Sequence, residues 1–258
     1  LGVKEVTLLG QNVNSYHGTG TNGRDWSLGR LIREVAEVEG IRRIRYMTSY
    51  PADMDEELIS AHGEVKSLMP FLHLPVQSGS NKVLKAMNRR HGAEQYRQIV
   101  ERLKKVRPDI ALSSDFIVGF PGESDADFDS TMQLVREIGF IQAYSFKYSP
   151  RPGTPAANLD DQVPEKIKTE RLKILQDELS KQQQLFNESC VGKNMSVLLD
   201  KPGRFKGQMV GRTPYMQPVH VSAPDHFLGT IVNSHIDVAK ANSLSGSLEI
   251  TDQSKNVA

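Results

Sequence analysis

The stretch Ile-Ala-Leu-Ser-Ser-Asp-Phe-Ile-Val-Gly-Phe-Pro-Gly-Glu-Ser, residues 110–124, decides the fold of this chain. Its apolar run over 110–118 predicts a strand that ends in a Gly-Phe-Pro-Gly turn, and Ser124 can cap the helix that follows. Further strand-like runs, separated by helical patterns, lie at 6–9, 41–47, 71–76 and 140–148. This alternation predicts parallel strands joined by right-handed crossovers, and we expect a partial (β/α) barrel, an α/β fold.

Polar residues follow the predicted strands at their C-terminal ends, where α/β proteins bind ligands. The rim predicted in this way collects Gln11, Ser49, Gln77, Asp115 and Tyr148. The loop Phe-Lys-Tyr-Ser-Pro-Arg-Pro-Gly-Thr-Pro-Ala at 146–156 extends this rim. Its prolines stiffen the backbone around Arg151 and so present the guanidinium at low entropic cost. A structural loop with a solvent-facing arginine is the alternative interpretation.

Other loops at the predicted rim carry groups that could bind a ligand, and each has a purely structural alternative. The 73–80 segment offers an amide and two hydroxyls suited to ribose or an amino acid, or is a turn in which Ser80 caps a helix. The 87–91 segment contains two arginines, which suit a carboxylate or are simply solvated. The glycine turn at 119–122 could meet a phosphate or a purine, or is only a tight turn.

The composition limits what the chain can do alone. Its 258 residues are 38% apolar and carry a net charge of +1, which indicates no particular partner. No apolar run approaches the ~18 residues of a membrane span, so we expect no membrane association. The single cysteine, Cys190, favours a reducing, cytoplasmic compartment. One cysteine also excludes an iron–sulfur or zinc-thiolate site made by this chain alone, and no metal ligand is predicted.

The pattern changes after a long helix predicted from Pro164 to about Cys190. Short β segments follow at 195–199, 207–212, 219–221, 230–232 and 248–250, which predict a small all-β barrel. We therefore divide the chain into a partial barrel over 1–160, a bracing helix over 161–190 and a β-barrel over 191–258. Basic residues of the last part could bind RNA phosphates, although many solvated hairpins are equally basic: Lys193, Lys201, Arg204, Lys206 and Arg212.

Taken together and in their order, several motifs resemble those of the radical S-adenosylmethionine methylthiotransferases. These motifs lie at 6–16, 73–80, 87–91, 115–123 and 148–157. The resemblance covers nearly the whole chain. It is closest to the branch that adds a methylthio group to C2 of N6-isopentenyladenosine 37 of tRNA, and the residues from 191 onward resemble the RNA-binding TRAM domain of the family. Sister branches act on threonylcarbamoyladenosine or on an aspartate of a ribosomal protein.

The resemblance implies a site for S-adenosylmethionine on the rim. Gln11 and Asn12 would meet the methionyl amino group, Arg89 the carboxylate, and Val118 and Gly119 the adenine. The complete implied cofactor site is Gln11, Asn12, Ser49, Gln77, Ser78, Arg89, Asp115, Val118, Gly119, Tyr148 and Arg151.

The family's chemistry also needs a 4Fe–4S cluster on a CxxxCxxC loop and a second cluster on an N-terminal domain. Neither set of cysteines is present in this sequence. We therefore expect a C-terminal part of a longer enzyme, inactive alone, with no catalytic residue of its own and the cluster loop encoded upstream of Leu1. The implied partners are the anticodon stem-loop of tRNA and an unidentified sulfur donor, with a monomeric protein.

Two other hypotheses remain open at this point. One is a non-catalytic RNA-binding module that uses the C-terminal β-barrel. The other is an ordinary barrel enzyme that binds sugar phosphates at the 119–124 turn.

Overall fold

The computed structural model of the chain describes residues 2–21 and 23–249. The strands of its first part are β1 (Glu5–Leu8), β2 (His17–Thr19), β3 (Asp25–Ser27), β4 (Arg43–Tyr46), β5 (Phe71–His73), β6 (Ala111–Val118) and β7 (Gln142–Lys147). The helices are α1 (Leu28–Ala36), α2 (Glu56–Glu64), α3 (Asn81–Ala86), α4 (Ala93–Val106), α5 (Asp125–Ile138) and α6 (Glu165–Ser189). A second part consists of β8 (Asn194–Pro202), β9 (Gln208–Arg212), β10 (Pro218–Ser222), β11 (Ile231–Ala239) and β12 (Leu244–Leu248).

Five parallel strands form the first part, which we call the half-barrel (residues 2–163). β1 pairs with β4, and β5, β6 and β7 pair in that order. The extended segment 67–69, immediately before β5, joins the two sheets. There Ile44 donates its N–H to the Ser67 oxygen at 2.7 Å and accepts the N–H of Met69 at 3.0 Å. The predicted partial barrel of parallel strands is therefore confirmed.

The helices cover one face of this sheet and bury the core against it. The helical spacing of Phe128, Met132, Val135 and Ile138 predicts that they share the inner face of α5, and all four are buried. Ser124 caps α5 in a capping box with Asp127, which satisfies backbone donors that the first turn cannot satisfy itself. Each fully buried aliphatic or aromatic side chain of this kind contributes about 1.5–3 kcal/mol.

A buried polar pair lies inside the half-barrel core. The ring nitrogen Nε2 of His62 lies 2.6 Å from the Tyr46 hydroxyl, and His62 is only 1% exposed. Burial, with a smaller contribution from the charge of Arg107, lowers the pKa of His62 from 6.5 to about 3. His62 is therefore neutral in the folded protein over the whole range in which an unfolded chain would protonate it.

This pair predicts a loss of stability in acid. Between pH 6.5 and about 3 the unfolded chain binds one more proton at His62 than the folded chain. The free energy of unfolding should therefore fall by about 1.4 kcal/mol per pH unit as the pH is lowered through this window. Urea unfolding of the wild type and of His62→Gln across this pH window tests the prediction. The variant should lack the contribution of one proton to the slope of the free energy of unfolding against pH. An unchanged slope would contradict it.

The second part is a closed five-stranded barrel in the order β10-β12-β11-β8-β9, which we call the C-terminal barrel (residues 191–249). The predicted all-β barrel is confirmed. Its core is separate from that of the half-barrel and contains Val197, Leu199, Met209, Val219, Val221, Ile236 and Leu244.

Two buried arginines join the half-barrel to the C-terminal barrel. Arg43 and Arg45 point from β4 and are 1% and 3% exposed. Arg43 donates to the Arg212 oxygen at 2.9 Å and to the oxygen and hydroxyl of Ser196 at 2.8 and 2.9 Å. Arg45 donates to the oxygens of residues 214 and 213 at 2.8 and 3.0 Å. Together these bonds fix the two barrels to each other.

One carboxylate balances these two cations. Glu5 on β1 lies 3.1 Å from Arg45 Nε and 3.7 Å from Arg43 Nη1. Burial, and then repulsion from Arg45, lowers the pKa of Arg43 to about 10, while Glu5 partly offsets both effects. The arrangement is a buried charge network, whose members depend strongly on one another.

Some predicted elements have the wrong extent. The strand predicted at 230–232 runs over Ile231–Ala239, because its inward positions include Ser234, which hides the alternation of apolar residues. The strand predicted at 248–250 is Leu244–Leu248, and residue 250 lies outside the described residues. Gly246 obscured this strand, yet a Cβ there would lie 2.4 Å from the His235 oxygen on the neighbouring strand.

Two further differences are in the half-barrel. The glycine- and asparagine-rich composition of segment 14–25 predicts a loop, but β2 and the start of β3 lie within it and pair as a short antiparallel hairpin. The helical spacing of Leu28, Leu31, Ile32, Val35 and Val38 predicts one inner face, but helix α1 ends at Ala36 and Val38 is 54% exposed.

Candidate functional site

Left-handed backbone conformations follow three neighbouring parallel strands. Thr48 (φ 63°) follows β4, Gln77 (φ 75°) follows β5, and Gly119 (φ 70°) follows β6. This region costs a non-glycine residue of order 1–3 kcal/mol, most clearly a β-branched one such as Thr48. Strain of this kind concentrates at functional sites. We therefore take the C-terminal strand ends and their loops, called the rim below, as the candidate site.

The loop 77–80 is held rigidly on β6 and α5. Gln77 donates its N–H to the Asp115 oxygen at 2.9 Å and accepts the N–H of Ile117 at 3.0 Å, so it continues the sheet beyond β5. The Ser78 hydroxyl lies 3.2 Å from that of Thr131. Gly79 allows the loop to approach α5, because a Cβ there would lie 2.4 Å from the Ser130 oxygen. Both predicted groups of this loop are buried.

One cluster of polar groups ties together the loops after β1, β4 and α3. The Asn12 amide donates to Asp53 at 2.6 Å, and Arg90 donates to the other Asp53 oxygen at 3.2 Å. The N–H of Arg90 also donates to the Tyr50 hydroxyl at 2.7 Å. Burial raises the pKa of Asp53, but the hydrogen bonds from Ser15 and Asn12 and the charge of Arg90 outweigh it, so the net shift is downward. Asp53 is therefore ionised at neutral pH, and its carboxylate joins these loops through hydrogen bonds.

A second cluster supports the turn after β6. Arg171 on α6 donates to the Glu123 carboxylate at 2.8 Å and to Asp125 at 2.7 Å. Glu123 also accepts the N–H of Gly119 at 2.8 Å. Burial raises the pKa of Glu123, although the Gly119 N–H and Arg171 oppose this shift. Since Glu123 is 5% exposed, the pair forms a buried link between α6 and the rim.

Lys168 and Tyr148 complete this side of the rim. The Tyr148 N–H donates to the Val118 oxygen at 2.8 Å, which places residue 148 beside the 118–119 strand end. The ammonium of Lys168 lies 5.5 Å from the centre of the Tyr148 ring and 3.4 Å from its backbone oxygen. A Cβ at Gly119 would lie 2.4 Å from Lys168, so only glycine fits between them.

Four of the residues that the sequence predicts at the rim each carry a buried polar atom with no hydrogen-bond partner within residues 2–21 and 23–249. These atoms are Asn12 Oδ1, Ser49 Oγ, Arg89 Nε and the Tyr148 hydroxyl. Buried polar groups are normally satisfied, and an unsatisfied one costs about 1–3 kcal/mol. A polar ligand at the rim would satisfy them.

The other predicted residues are placed as follows. Gln11 and Arg151 are exposed, and Asp115 is partly buried, 3.6 Å from His73. The structure brings Gln77, Asp115, Val118, Gly119 and Tyr148 together through main-chain contacts of β5, β6 and β7. Asn12 is instead linked to Arg90 through Asp53, and Ser49 precedes Tyr50, whose hydroxyl accepts the N–H of Arg90.

Sequence reasoning missed Asp53, Tyr50, Lys168 and the Glu123–Arg171 pair. Only Arg171 carried a signal, because it is a charged residue at helical spacing with Ile167, Leu175 and Leu179 in the predicted long helix. The position of Asp53 could not be found, because its partners lie 38 to 41 residues before it and 37 after it.

The predicted RNA-binding residues do not share one environment. Lys201, Arg204 and Lys206 are exposed on the hairpin between β8 and β9. Lys193 precedes β8 at the opposite end of that strand. Arg212 lies 3.6 Å from Asp200 and donates to the Met216 oxygen at 3.2 Å.

Neither a metal site nor a membrane helix is found in the described part of the chain. Residues 2–21 and 23–249 contain no group of three or more His, Cys, Asp or Glu side chains that could hold a metal ion. Cys190 is buried, with Sγ 3.3 Å from the Phe186 oxygen. Over the same residues, every helix is too short or too polar to cross a bilayer.

Comparison with protein families agrees with this architecture. The Radical SAM superfamily matches residues 1–135, and the TRAM domain matches residues 188–248. The first match extends from β1 through most of α5. It includes the rim residues up to Glu123 and Asp125, the two carboxylates that pair with Arg171. The second match contains all five strands of the C-terminal barrel. The chain thus belongs to the radical S-adenosylmethionine superfamily and carries a TRAM domain, which is associated with RNA binding.

Proposed function

We propose that this chain is the cofactor- and RNA-binding part of a methylthiotransferase that modifies C2 of N6-isopentenyladenosine in tRNA. The observation that carries the proposal is the strained rim with its four unpartnered polar atoms, joined rigidly to a TRAM barrel. The choice of substrate rests on the motif resemblance, which favours this branch over those acting on threonylcarbamoyladenosine or a ribosomal protein.

The rim groups fit the polar end of S-adenosylmethionine. Arg89 Nε can donate to the methionyl carboxylate, and Asn12 Oδ1 can accept from the amino group. The Ser49 and Tyr148 hydroxyls can donate or accept and suit ribose hydroxyls. When bound, S-adenosylmethionine supplies a carbon-centred radical on reductive cleavage. The chain's own residues bind and orient it, and the buried network around Gly119 keeps that surface fixed.

The described residues do not fit an iron–sulfur cluster. Such clusters are held by cysteine thiolates, and Cys190 is the only cysteine of the sequence. It lies in the core of the C-terminal barrel rather than on the rim. We therefore derive no reaction step through a cluster and assign no catalytic residue to this chain. We propose that the ligands come from other polypeptide of the parent enzyme.

Further parts of the proposal follow from the family. We propose that the RNA partner is the anticodon stem-loop, that the protein works as a cytoplasmic monomer, and that the functional units are residues 1–160, 161–190 and 191–258. The long helix α6 would then brace the rim through Arg171 while it leads into the RNA-binding barrel.

Calorimetric titration with S-adenosylmethionine tests the cofactor site. Tyr148→Phe removes a buried hydroxyl that has no partner in the described residues, so it should not destabilise the fold. It should weaken binding about fivefold, the equivalent of one lost hydrogen bond. Tyr144→Phe is the matched control, because Tyr144 is half exposed and its hydroxyl accepts from Gln142. Equal affinity of wild type and Tyr148→Phe would contradict the assignment.

The substrate is tested in cells. If the proposal is correct, tRNA from a strain lacking the parent gene should retain isopentenyladenosine but lose its methylthio form, as measured by mass spectrometry. Loss of a methylthio group from threonylcarbamoyladenosine or from a ribosomal protein would instead assign the chain to a sister branch.

A non-catalytic RNA-binding module is the second candidate. Two observations favour it: the cluster ligands are not found among the described residues, and the TRAM barrel has its own complete core. This candidate predicts RNA binding without any affinity for S-adenosylmethionine. The calorimetric titration therefore separates the two.

A further inference from the structure

One end of the C-terminal barrel lies far from the half-barrel. We call it the distal end; it consists of the β8–β9 hairpin (201–207) and the β10–β11 connection (223–230). Arg43 contacts the other end, at Ser196 and Arg212. From Ser196, which Arg43 contacts, β8 runs six more residues to Pro202, a distance of about 20 Å. The distal end is thus exposed to a partner that the half-barrel does not touch.

Hydrogen bonds to main-chain groups hold the hairpin tip. Gly203 donates its N–H to the Gln208 oxygen at 2.6 Å, and Gln208 donates its N–H to the Phe205 oxygen at 3.1 Å. The Gln208 side chain accepts the N–H of Arg204 at 3.2 Å. Ala223 donates to the Gly207 oxygen at 3.0 Å, which joins the two segments of the distal end. The tip therefore presents its side chains in a fixed arrangement.

Phe205 stands at this tip with its ring in solvent. It is 66% exposed and is not part of the barrel core. The Arg204 guanidinium lies 6.0 Å from the centre of the ring. On the adjoining segment Leu228 is 49% exposed, and the rings of His226 and Phe227 lie 4.4 Å apart. Phe227 packs against the barrel core, whereas Phe205 and Leu228 are exposed apolar side chains that folding does not require.

Three cations lie within four residues of Phe205 along the chain. Lys201, Arg204 and Lys206 are exposed, and none of them forms an ion pair with a described residue. The nearby Asp200 is already within 3.6 Å of Arg212. Three free cations favour a polyanion as the partner, while an exposed ring between them favours one that carries flat bases. Single-stranded nucleic acid has both properties.

We propose that the distal end binds an unpaired stretch of RNA, with one base stacked on Phe205 and the adjoining phosphates held by Lys201, Arg204 and Lys206. This inference rests on the proposed function in one respect, namely that RNA is a ligand of the chain. It adds a contact about 20 Å along β8 from the Arg43 contact at Ser196. The bound RNA then has two anchors, one near the rim and one on the far side of the TRAM barrel.

Fluorescence titration of the full chain with labelled oligoadenylate and with a tRNA transcript tests the stacking contact. Phe205→Leu should weaken binding roughly five- to a hundredfold, because one base loses its aromatic platform. Phe205→Trp should bind at least as well as the wild type, and its indole emission should be quenched by the RNA. Leu185→Ala is the control, since Leu185 on α6 is also exposed, at 55% against 66% for Phe205. Thermal unfolding should be the same for all variants.

The charges are tested separately by the salt dependence of binding. The combined variant Lys201→Gln, Arg204→Gln and Lys206→Gln should lower the slope of log affinity against log salt by about 2, the value for three contacts to a single strand. Equal binding by Phe205→Leu and wild type, or an unchanged slope, would overturn the proposal. Neither result involves S-adenosylmethionine, so failure here is distinguishable from failure of the cofactor site.

Discussion

Arg43→Ala should destabilise the protein by about 3–5 kcal/mol, the cost of breaking a buried charge network by removing one partner. The substitution removes three hydrogen bonds to Ser196 and Arg212 and opens a cavity between the barrels. It also leaves Glu5 with Arg45 alone. Because the lost bonds connect the barrels, we expect the single unfolding transition to separate into two in urea, followed by circular dichroism.

The neighbouring residue supplies the control. Arg42 is exposed and immediately precedes β4. Arg42→Ala removes an identical charge outside the interface, so it should change the free energy of unfolding by less than about 0.5 kcal/mol. Arg43→Lys should be intermediate, because an ammonium cannot reproduce the planar fork. A single transition at wild-type urea concentration for Arg43→Ala would show that the barrels are held by other contacts.

Arg171→Ala should have a comparable effect on the half-barrel, about 3–5 kcal/mol, because it leaves the buried Glu123 carboxylate without its cation. Burial already raises the pKa of Glu123, and removing Arg171 should raise it further. Between its ordinary pKa of 4.5 and this raised pKa, Glu123 keeps a proton in the folded variant that the unfolded chain has lost, so the stability of the variant should fall as the pH rises through that window and then level off. Urea unfolding at several pH values measures both effects.

The rim should respond as well. Glu123 holds the N–H of Gly119, so loosening Glu123 frees the turn after β6 and should weaken S-adenosylmethionine binding in calorimetry. Lys173→Ala is the matched control on α6, since Lys173 lies two residues after Arg171 and its side chain is exposed. Glu123→Gln combined with Arg171→Met should recover part of the stability, because no charge is then left buried. Wild-type stability of Arg171→Ala would contradict the role assigned to the network.

Periodicity was sufficient for the architecture. The helix α5 could be placed from its inward residues and from Ser124, and the alternation of strands and helices determined the parallel half-barrel. Periodicity failed where one residue interrupts the alternation of apolar residues. Ser234 inside β11 and Gly246 inside β12 concealed the extents of these two strands of the C-terminal barrel. A polar residue on an inward position cannot be distinguished from a turn without knowing its partner.

The candidate site was predictable as a set of loops but not as a set of contacts. The strand ends identified the rim, and four of its predicted residues carry the unpartnered atoms. The clusters around Asp53 and Glu123 join residues far apart in sequence, so no local pattern reveals them. Arg43 and Arg45 could not be foreseen as interface residues, because arginines at alternate positions of a strand usually face solvent.

The way in which the TRAM barrel is docked has a consequence for how such a protein can change. Four of the five acceptors of Arg43 and Arg45 are main-chain oxygens. Exchanging side chains at positions 212 to 214 therefore removes none of those acceptors, since every amino acid brings its own carbonyl. The half-barrel can therefore hold the TRAM barrel in one orientation while the side chains on the surface that we propose to contact RNA are replaced to suit a different RNA.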